Sequence, residues 1–512
     1  MEEIEAGEVS SMDPGRARYL SFDETVNRNS GVIEDQVSTA KFLRSFSSMS
    51  TLDIHMGKGL DNLLMSLKHL RVLHLPGYTS LTDMPKSIGK LKHFRYMNLS
   101  GSRIKTLPKS MFGLYHLETL ILKYCDGISK IPDLICNLKG LRHLDLEDTS
   151  IQRLPATMAR LTNLHHLNIR GTDMKEMPPQ IGRLSNLVIL QDFFLGKHKD
   201  CGIEQLGYLG RLSGELCIHN LENVVNASAA AIANLGLFLV AESFPDWVGN
   251  PSFSQLVTLI LFKCINITSL PPLGELVSLK ELTMYDFASL ERIEFHGNNR
   301  EYVGCRPFQS LERLVLSRMP RLKSLPEGTH FFPSLVDLEI VNCPEIESFP
   351  EQGLPLTLKA LVIEGCKKLL AARKQWRLYE PSLSSFTIGN WEDVEIFPEE
   401  ASFLPHTLRS LTVSGLPNLK TLRLDHLPYL EELNLVSCGR LKSLPDSMPN
   451  IPLTTLRLSD CRTLESLPEK GLPSSLDVLH VSFCPLLEKR LQREKGEDWR
   501  HIIHISHEYE LS

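Results

Sequence analysis

The chain has 512 residues, 42% hydrophobic and 23% charged, the balance of a folded protein, yet it is too long for one conventional core, since single cores stop growing near ~250–300 residues. A net charge of −6 and the lack of any run of five basic residues exclude nucleic acid as the expected main partner. No stretch approaches the ~18 uninterrupted apolar residues of a membrane span, and Met1 to Pro14, with five acidic residues and no basic one, lacks the features of a secretory signal.

Residues 1–60 contain no regular unit and are expected to form a lead-in and capping segment. Over 61–224 a fixed period sets in. Proline after an apolar residue recurs at Pro85, Pro108, Pro132, Pro155 and Pro178, at intervals of 23, 24, 23 and 23, and a fixed period is the mark of a stacked repeat. Aligned on it, the chain reads Leu70-x-x-Leu73-x-Leu75, Phe94-x-x-Met97-x-Leu99, Leu117-x-x-Leu120-x-Leu122, Leu141-x-x-Leu144-x-Leu146 and Leu164-x-x-Leu167-x-Ile169. This is the leucine-rich-repeat signature. Alternation within each unit sends the leucines to one side of a short strand and the residues between them to the other. A second apolar set, such as Ile104, Leu107, Met111 and Leu114, returns the chain on the opposite side, with proline at the start of the return, where it needs no ladder partner. The fold class expected is an α/β repeat, a leucine-rich-repeat solenoid or horseshoe, with a concave parallel β-sheet and an irregular or short-helical convex side.

Residues 225–252 break the register and are expected to be an irregular junction. Asn226 to Asn234 favours helix, and Leu237, Phe238 and Val240 fit no unit. A second array follows over 253–488, with unit starts at Leu256, Leu279, Leu311, Leu335, Leu358, Leu383, Leu408, Leu430, Leu453 and Leu476, making about sixteen units in all. Seven of the eleven cysteines (Cys125, Cys264, Cys343, Cys366, Cys438, Cys461, Cys484) fall eight residues after the first leucine of their unit. There a side chain is needed to satisfy backbone groups in the turn, so these cysteines read as structural and not as a metal or disulfide set. Residues 489–512 form a tail or cap. Its His501, His504 and His507 are discounted as ligands, because the β-branched residues between them favour an extended tail.

No phosphate-binding glycine loop is present; Gly57-Lys58-Gly59 lacks both the glycine spacing and the Ser or Thr. No H-E-x-x-H, G-x-S-x-G or kinase set occurs, so no enzyme, cofactor or metal is expected. Asn98, Asn226 and Asn266 match the glycosylation pattern by chance in a chain expected to be cytoplasmic, with nuclear or peripheral membrane association left open. The outward strand positions vary from unit to unit and are polar, whereas the inward ones are uniformly aliphatic. Tyr96, Asn98, His143, Asp145, His166 and Asn168 are therefore the candidate partner-binding residues, read as one contiguous patch, with Pro76, Ser100, Lys123, Glu147 and Arg170 in the next column. His143 and His166 occupy equivalent positions and are expected to stack in solvent. Such a face suits a macromolecule better than a small ligand.

Phe244-Pro-Asp-Trp-Val-Gly-Asn-Pro-Ser-Phe253, Ser269-Leu-Pro-Pro-Leu-Gly274 with Ser278-Leu-Lys-Glu-Leu282, Leu221-Glu-Asn-Val224, and the ending Cys484-Pro-Leu-Leu-Glu-Lys489 to Trp499 resemble the repeats of plant coiled-coil nucleotide-binding leucine-rich-repeat (NB-LRR) disease resistance proteins. Arg16-Ala-Arg-Tyr-Leu-Ser-Phe22 is similar to the strand that leads into those repeats. The resemblance covers the leucine-rich-repeat region only; nothing here matches the family's coiled coil or nucleotide-binding module. It implies protein partners: a pathogen effector, a guarded host protein, or the nucleotide-binding module that the repeats restrain in that family. Units such as Leu107-Pro-Lys-Ser-Met-Phe-Gly-Leu114 and Met177-Pro-Pro-Gln-Ile-Gly-Arg-Leu184 also resemble intracellular Ras-group leucine-rich signalling scaffolds, the alternative reading.

Overall fold

The structure is a computed structural model describing residues 17–22, 40–48, 59–220, 223, 255–263, 267–270, 273–294, 308–325, 332–351, 353–376, 378, 382–400, 403–492, 495–502, 505 and 508–511. The chain divides into two compact units. One comprises Met1–Val240 with Ser252–Leu259, the other Ala241–Pro251 with Ile260–Ser512. The junction expected over 225–252, with Leu237, Phe238 and Val240, lies outside the described residues.

In the first unit eight strands stack in chain order into one parallel sheet. Five of them, Val72–His74, Tyr96–Asn98, Thr119–Ile121, His143–Asp145 and His166–Asn168, begin two residues after the first apolar residue of their unit. Their central residues Leu73, Met97, Leu120, Leu144 and Leu167 lie opposite one another in register and have no exposed surface. Before them stand Tyr19–Phe22 and Ser45–Ser48, paired in parallel. The strand resembling a lead-in to the repeats is thus part of the same sheet.

The return of each unit is a single 3-10 turn and not an α-helix. Lys86–Lys90, Lys109–Gly113, Asp133–Asn137 and Ala156–Arg160 each follow a proline with φ between −58° and −70°. Proline presets that φ and its missing N–H costs nothing at a helix start. Ile88, Met111, Ile135 and Met158 point from these turns into the core and are fully buried, which closes the apolar layer behind the strands.

A left-handed residue follows each of the five strands from Val72–His74 to His166–Asn168, seven positions after the first apolar residue of its unit. Gly77, Gly101 and Gly171 adopt it at no steric cost, but so do Tyr124 (φ 60°) and Asp148 (φ 50°). The backbone N–H at this position donates to the next repeat, from Tyr124 to Glu147 O and from Asp148 to Arg170 O, each at 2.8 Å. The inter-repeat bond holds the strained conformation. One residue later comes the column occupied by cysteines. Cys125 is buried, and its Sγ donates to Leu99 O of the preceding repeat at 3.1 Å; Thr149 and Thr172 turn their hydroxyls onto Leu146 O and Ile169 O instead.

The second unit repeats this scheme with longer strands. Glu281–Tyr285, Arg313–Ser317, Asp337–Val341, Ala360–Glu364, Ser385–Gly389, Ser410–Ser414, Glu432–Val436, Thr455–Ser459 and Val478–Ser482 pair in parallel without a register slip. Each starts two residues after its predicted leucine. Cys343, Cys366, Cys438, Cys461 and Cys484 are buried and unbridged, and each donates to a carbonyl of the repeat before it, as Cys366 does to Ile340 O at 3.4 Å.

At the C-terminal end the chain turns through the helix Pro485–Arg490 and a 3-10 turn at Trp499–His501 before the strand Glu508–Leu511 pairs with Val478–Val481. Residues 499–501 are therefore helical where an extended tail was expected; His504 and His507 lie outside the described residues. Asp498 fastens this cap. It accepts from Arg490 Nε at 2.9 Å and Nη2 at 3.0 Å, and from the Leu467 backbone N–H at 3.3 Å.

Candidate functional site on the strand face

The outward face of the first sheet carries two columns. One runs Tyr96, Thr119, His143, His166 and the other Asn98, Ile121, Asp145, Asn168. Thr119 and Ile121 separate Tyr96 and Asn98 from the other four candidates, so the patch is continuous only through those two residues.

The columns differ in what their side chains are free to do. Asn98 and Asn168 are buried, 8% and 7% exposed, because each folds back onto the turn that follows. Asn98 Oδ1 accepts from Ser100 N at 2.9 Å and Ser100 Oγ at 2.6 Å. Asn168 Oδ1 accepts from Arg170 N at 3.1 Å, and Asp145 Oδ1 accepts from Glu147 N at 3.1 Å. An oxygen carried two carbons beyond Cα is suited to a donor two residues on. Asn98, Asp145 and Asn168, expected among the partner-binding residues, thus hold the turns through their side-chain oxygens.

Tyr96, His143 and His166 are half-buried and face outward. The two imidazole centroids lie 4.0 Å apart with planes tilted by 56°, so they pack edge against face, and His166 Nε2 is buried without a hydrogen-bond partner. The stacked, solvated pair expected from the sequence is thus a tilted, partly desolvated one. Burial holds both imidazoles below their ordinary range; for His166 the neighbouring His143 adds to this, and for both Asp145 opposes it. Burial lowers His74, on the same face, in the same direction.

A pH effect follows. The unfolded chain takes up these protons near about pH 6.5, whereas the folded pair resists them. The stability this contributes is complete above that pH and is lost as pH falls through the lowered values. Acidification from pH 7.5 to 5 should lower the urea midpoint of the first array, and His143→Asn with His166→Asn should flatten that dependence. An unchanged slope in the double variant would refute the assignment.

Beyond these columns runs a row of charges. Lys123 Nζ lies 2.6 Å from Glu147 Oε2 and sits over the ring of Tyr124, 4.7 Å from its centroid; Asn168 Nδ2 donates to the same Glu147 oxygen at 2.9 Å. Arg170 reaches Glu215 at 3.8 Å. Burial works against the charge of Glu147, but Lys123 and Asn168 outweigh it and hold the carboxyl below its ordinary range. Tyr124, 52% exposed, belongs to this surface and was missed, since it occupies the left-handed turn position beyond the strand and not one of the outward strand positions.

A family model described as "Leucine-rich repeat region" matches residues 132–236, and one described as "R13L1/DRL21 LRRs" matches 239–287. A disease resistance protein of Arabidopsis thaliana is 31% identical over 413 residues, covering 68% of this chain and 27% of that protein. An RPP13-like disease resistance protein of the same plant is 30% identical over 493 residues, covering 84% of this chain and 42% of that protein. The chain thus spans less than half the length of these relatives. A solved leucine-rich-repeat protein of Leptospira interrogans superposes with a TM-score of 0.46 at 16% identity, over 97% of each chain. Among the described residues no helix is long and apolar enough to cross a membrane. By its repeats and by these relatives, the chain belongs to the plant disease resistance proteins, within their leucine-rich-repeat region.

Proposed function

We propose that this chain is the recognition module of a cytoplasmic plant immune receptor. It binds a protein, either a pathogen effector, a guarded host protein or a nucleotide-binding module that it restrains, and catalyses no reaction. The observation that carries this reading is the contrast between the two sides of the first sheet. The inward column from Leu73 to Leu167 is apolar and has no exposed surface, while the facing column passes from Tyr96 through Thr119 to the histidine pair His143 and His166. Repeats that share a core but not a surface can change what they bind without changing their fold. Aromatic and imidazole groups set in a polar surround are common anchors at protein interfaces.

Tyr96, His143 and His166 supply the contacts, and Asn98, Asp145 and Asn168 shape the turns beside them. The test leaves those three in place. Tyr96→Ala, His143→Ala and His166→Ala are combined and expressed in leaf tissue with a proximity-labelling tag beside the unaltered chain. The unaltered chain should label a discrete set of proteins that the triple variant loses, with both showing the same thermal melt by circular dichroism. Identical labelled sets from two equally folded chains would overturn the reading.

A further inference from the structure

The strands Asp192–Phe194 and Gly214–His219 pair in parallel, with Cys217 opposite Asp192 and His219 opposite Phe194. Alternation sends Phe193, Leu216 and Ile218 inward, where all are buried, and leaves Asp192, Cys217 and His219 together on the outward side. A carboxylate oxygen, a thiol sulfur and an imidazole nitrogen from these residues lie within 4.8 Å of one another. His219 Nε2 is 2.7 Å from Asp192 Oδ1. The Phe194 ring stacks on the imidazole at 4.3 Å with planes 7° apart, which fixes the plane in which that nitrogen can turn.

We infer that Asp192, Cys217 and His219 form a binding site for a divalent transition metal ion of the zinc type, with the fourth position left to water. The donor set selects the ion. One sulfur and one imidazole nitrogen beside a single carboxylate suit zinc and disfavour calcium or magnesium, which take oxygen ligands. Bond lengths of about 2.0–2.3 Å around a tetrahedral zinc place its ligands about 3.3–3.7 Å apart. The present spacings, 2.7 Å between Asp192 and His219 and up to 4.8 Å over the set, bracket that range. Small side-chain rotations suffice, and no backbone need move. The ion takes the place of the hydrogen between Asp192 and His219, the imidazole keeping its one proton on Nδ1, and the Cys217 proton leaves to solvent as the thiolate binds. Among the described residues three protein ligands, on the outward side of a strand pair, leave one position open, the pattern of an accessible centre and not of a closed structural one.

The sequence gives this grouping no motif, because its ligands are 25 and 2 residues apart on two strands whose register the repeat pattern does not specify. It also differs from the cysteine column of the repeats, whose sulfurs point into the core and donate to backbone carbonyls.

The test uses the full chain, reduced and stripped of metal, titrated with Co2+. Binding should saturate at one ion per chain, with the intense near-ultraviolet absorption of a cobalt–thiolate bond, and one equivalent of Zn2+ should abolish that absorption. Loss of an outer-shell partner of a metal ligand already weakens binding on the order of 10–100-fold, so Cys217→Ser should weaken it by at least that and lose the absorption. Cys136→Ser, at the other half-buried thiol among the described residues, should leave both unchanged. His219→Gln and Asp192→Asn should keep some thiolate absorption with weaker binding, and they serve if Cys217→Ser fails to fold. Absence of the cobalt–thiolate band, or a band of full strength in Cys217→Ser or in both other variants, would overturn the site.

Discussion

Leu144→Ala is expected to destabilise the first array by about 2–5 kcal/mol, the range for emptying a leucine site in a core that collapses only in part. Leu144 has no exposed surface. It lies between Leu120 and Leu167 of the adjacent strands, in register with both, and behind it the 3-10 turns close the layer with Ile135 and Met158. A solenoid unit is stabilised chiefly by its neighbours, so a cavity here is felt by three repeats at once. The measurement is amide hydrogen exchange of residues 119–121 and 166–168 together with urea denaturation. Protection of both flanking strands should fall with the global midpoint. A change well below about 1 kcal/mol would contradict the enclosure of Leu144.

Phe386→Ala should cost the second array about 3–5 kcal/mol, the range for a buried phenylalanine. Phe386 is the inward residue of Ser385–Gly389, in register with Leu361 and Leu411 and without exposed surface. Its ring meets Phe403 edge-on at 6.4 Å, and Phe403 in turn packs on Trp376 at 5.6 Å and Phe397 at 5.8 Å. The loss therefore includes aromatic contacts worth about 0.5–1.5 kcal/mol per pair beyond area. Phe386→Leu keeps most of the volume and should cost far less. Urea midpoints and the near-ultraviolet circular dichroism of Trp376 report the difference. Equal midpoints for the alanine and leucine variants would show that the aromatic cluster does not depend on this ring.

The sequence by itself determined the strands and the column they share. An apolar residue two positions ahead locates the strands of the regular units, from Leu70 to Leu164 in the first array and from Leu279 to Leu476 in the second, because period-2 alternation is local and one slip would expose the whole inward column. The buried cysteines were legible for the same reason, as their spacing tracks the repeat. The simplicity of that pattern ends where side chains choose between solvent and their own backbone. Asn98 and Asn168 share the outward parity of His143 and His166, yet they are spent on the turn, and only the path of the chain after the strand shows it. Tyr124 takes a left-handed conformation that its residue type disfavours, because the next repeat supplies an acceptor for its N–H group. Only the tertiary structure could set Cys217 against Asp192. The segment between their strands carries two 3-10 turns, Lys199–Cys201 and Ile203–Tyr208, in place of one proline-led return, and the length of that detour, which no local pattern encodes, fixes which residues meet across the pair.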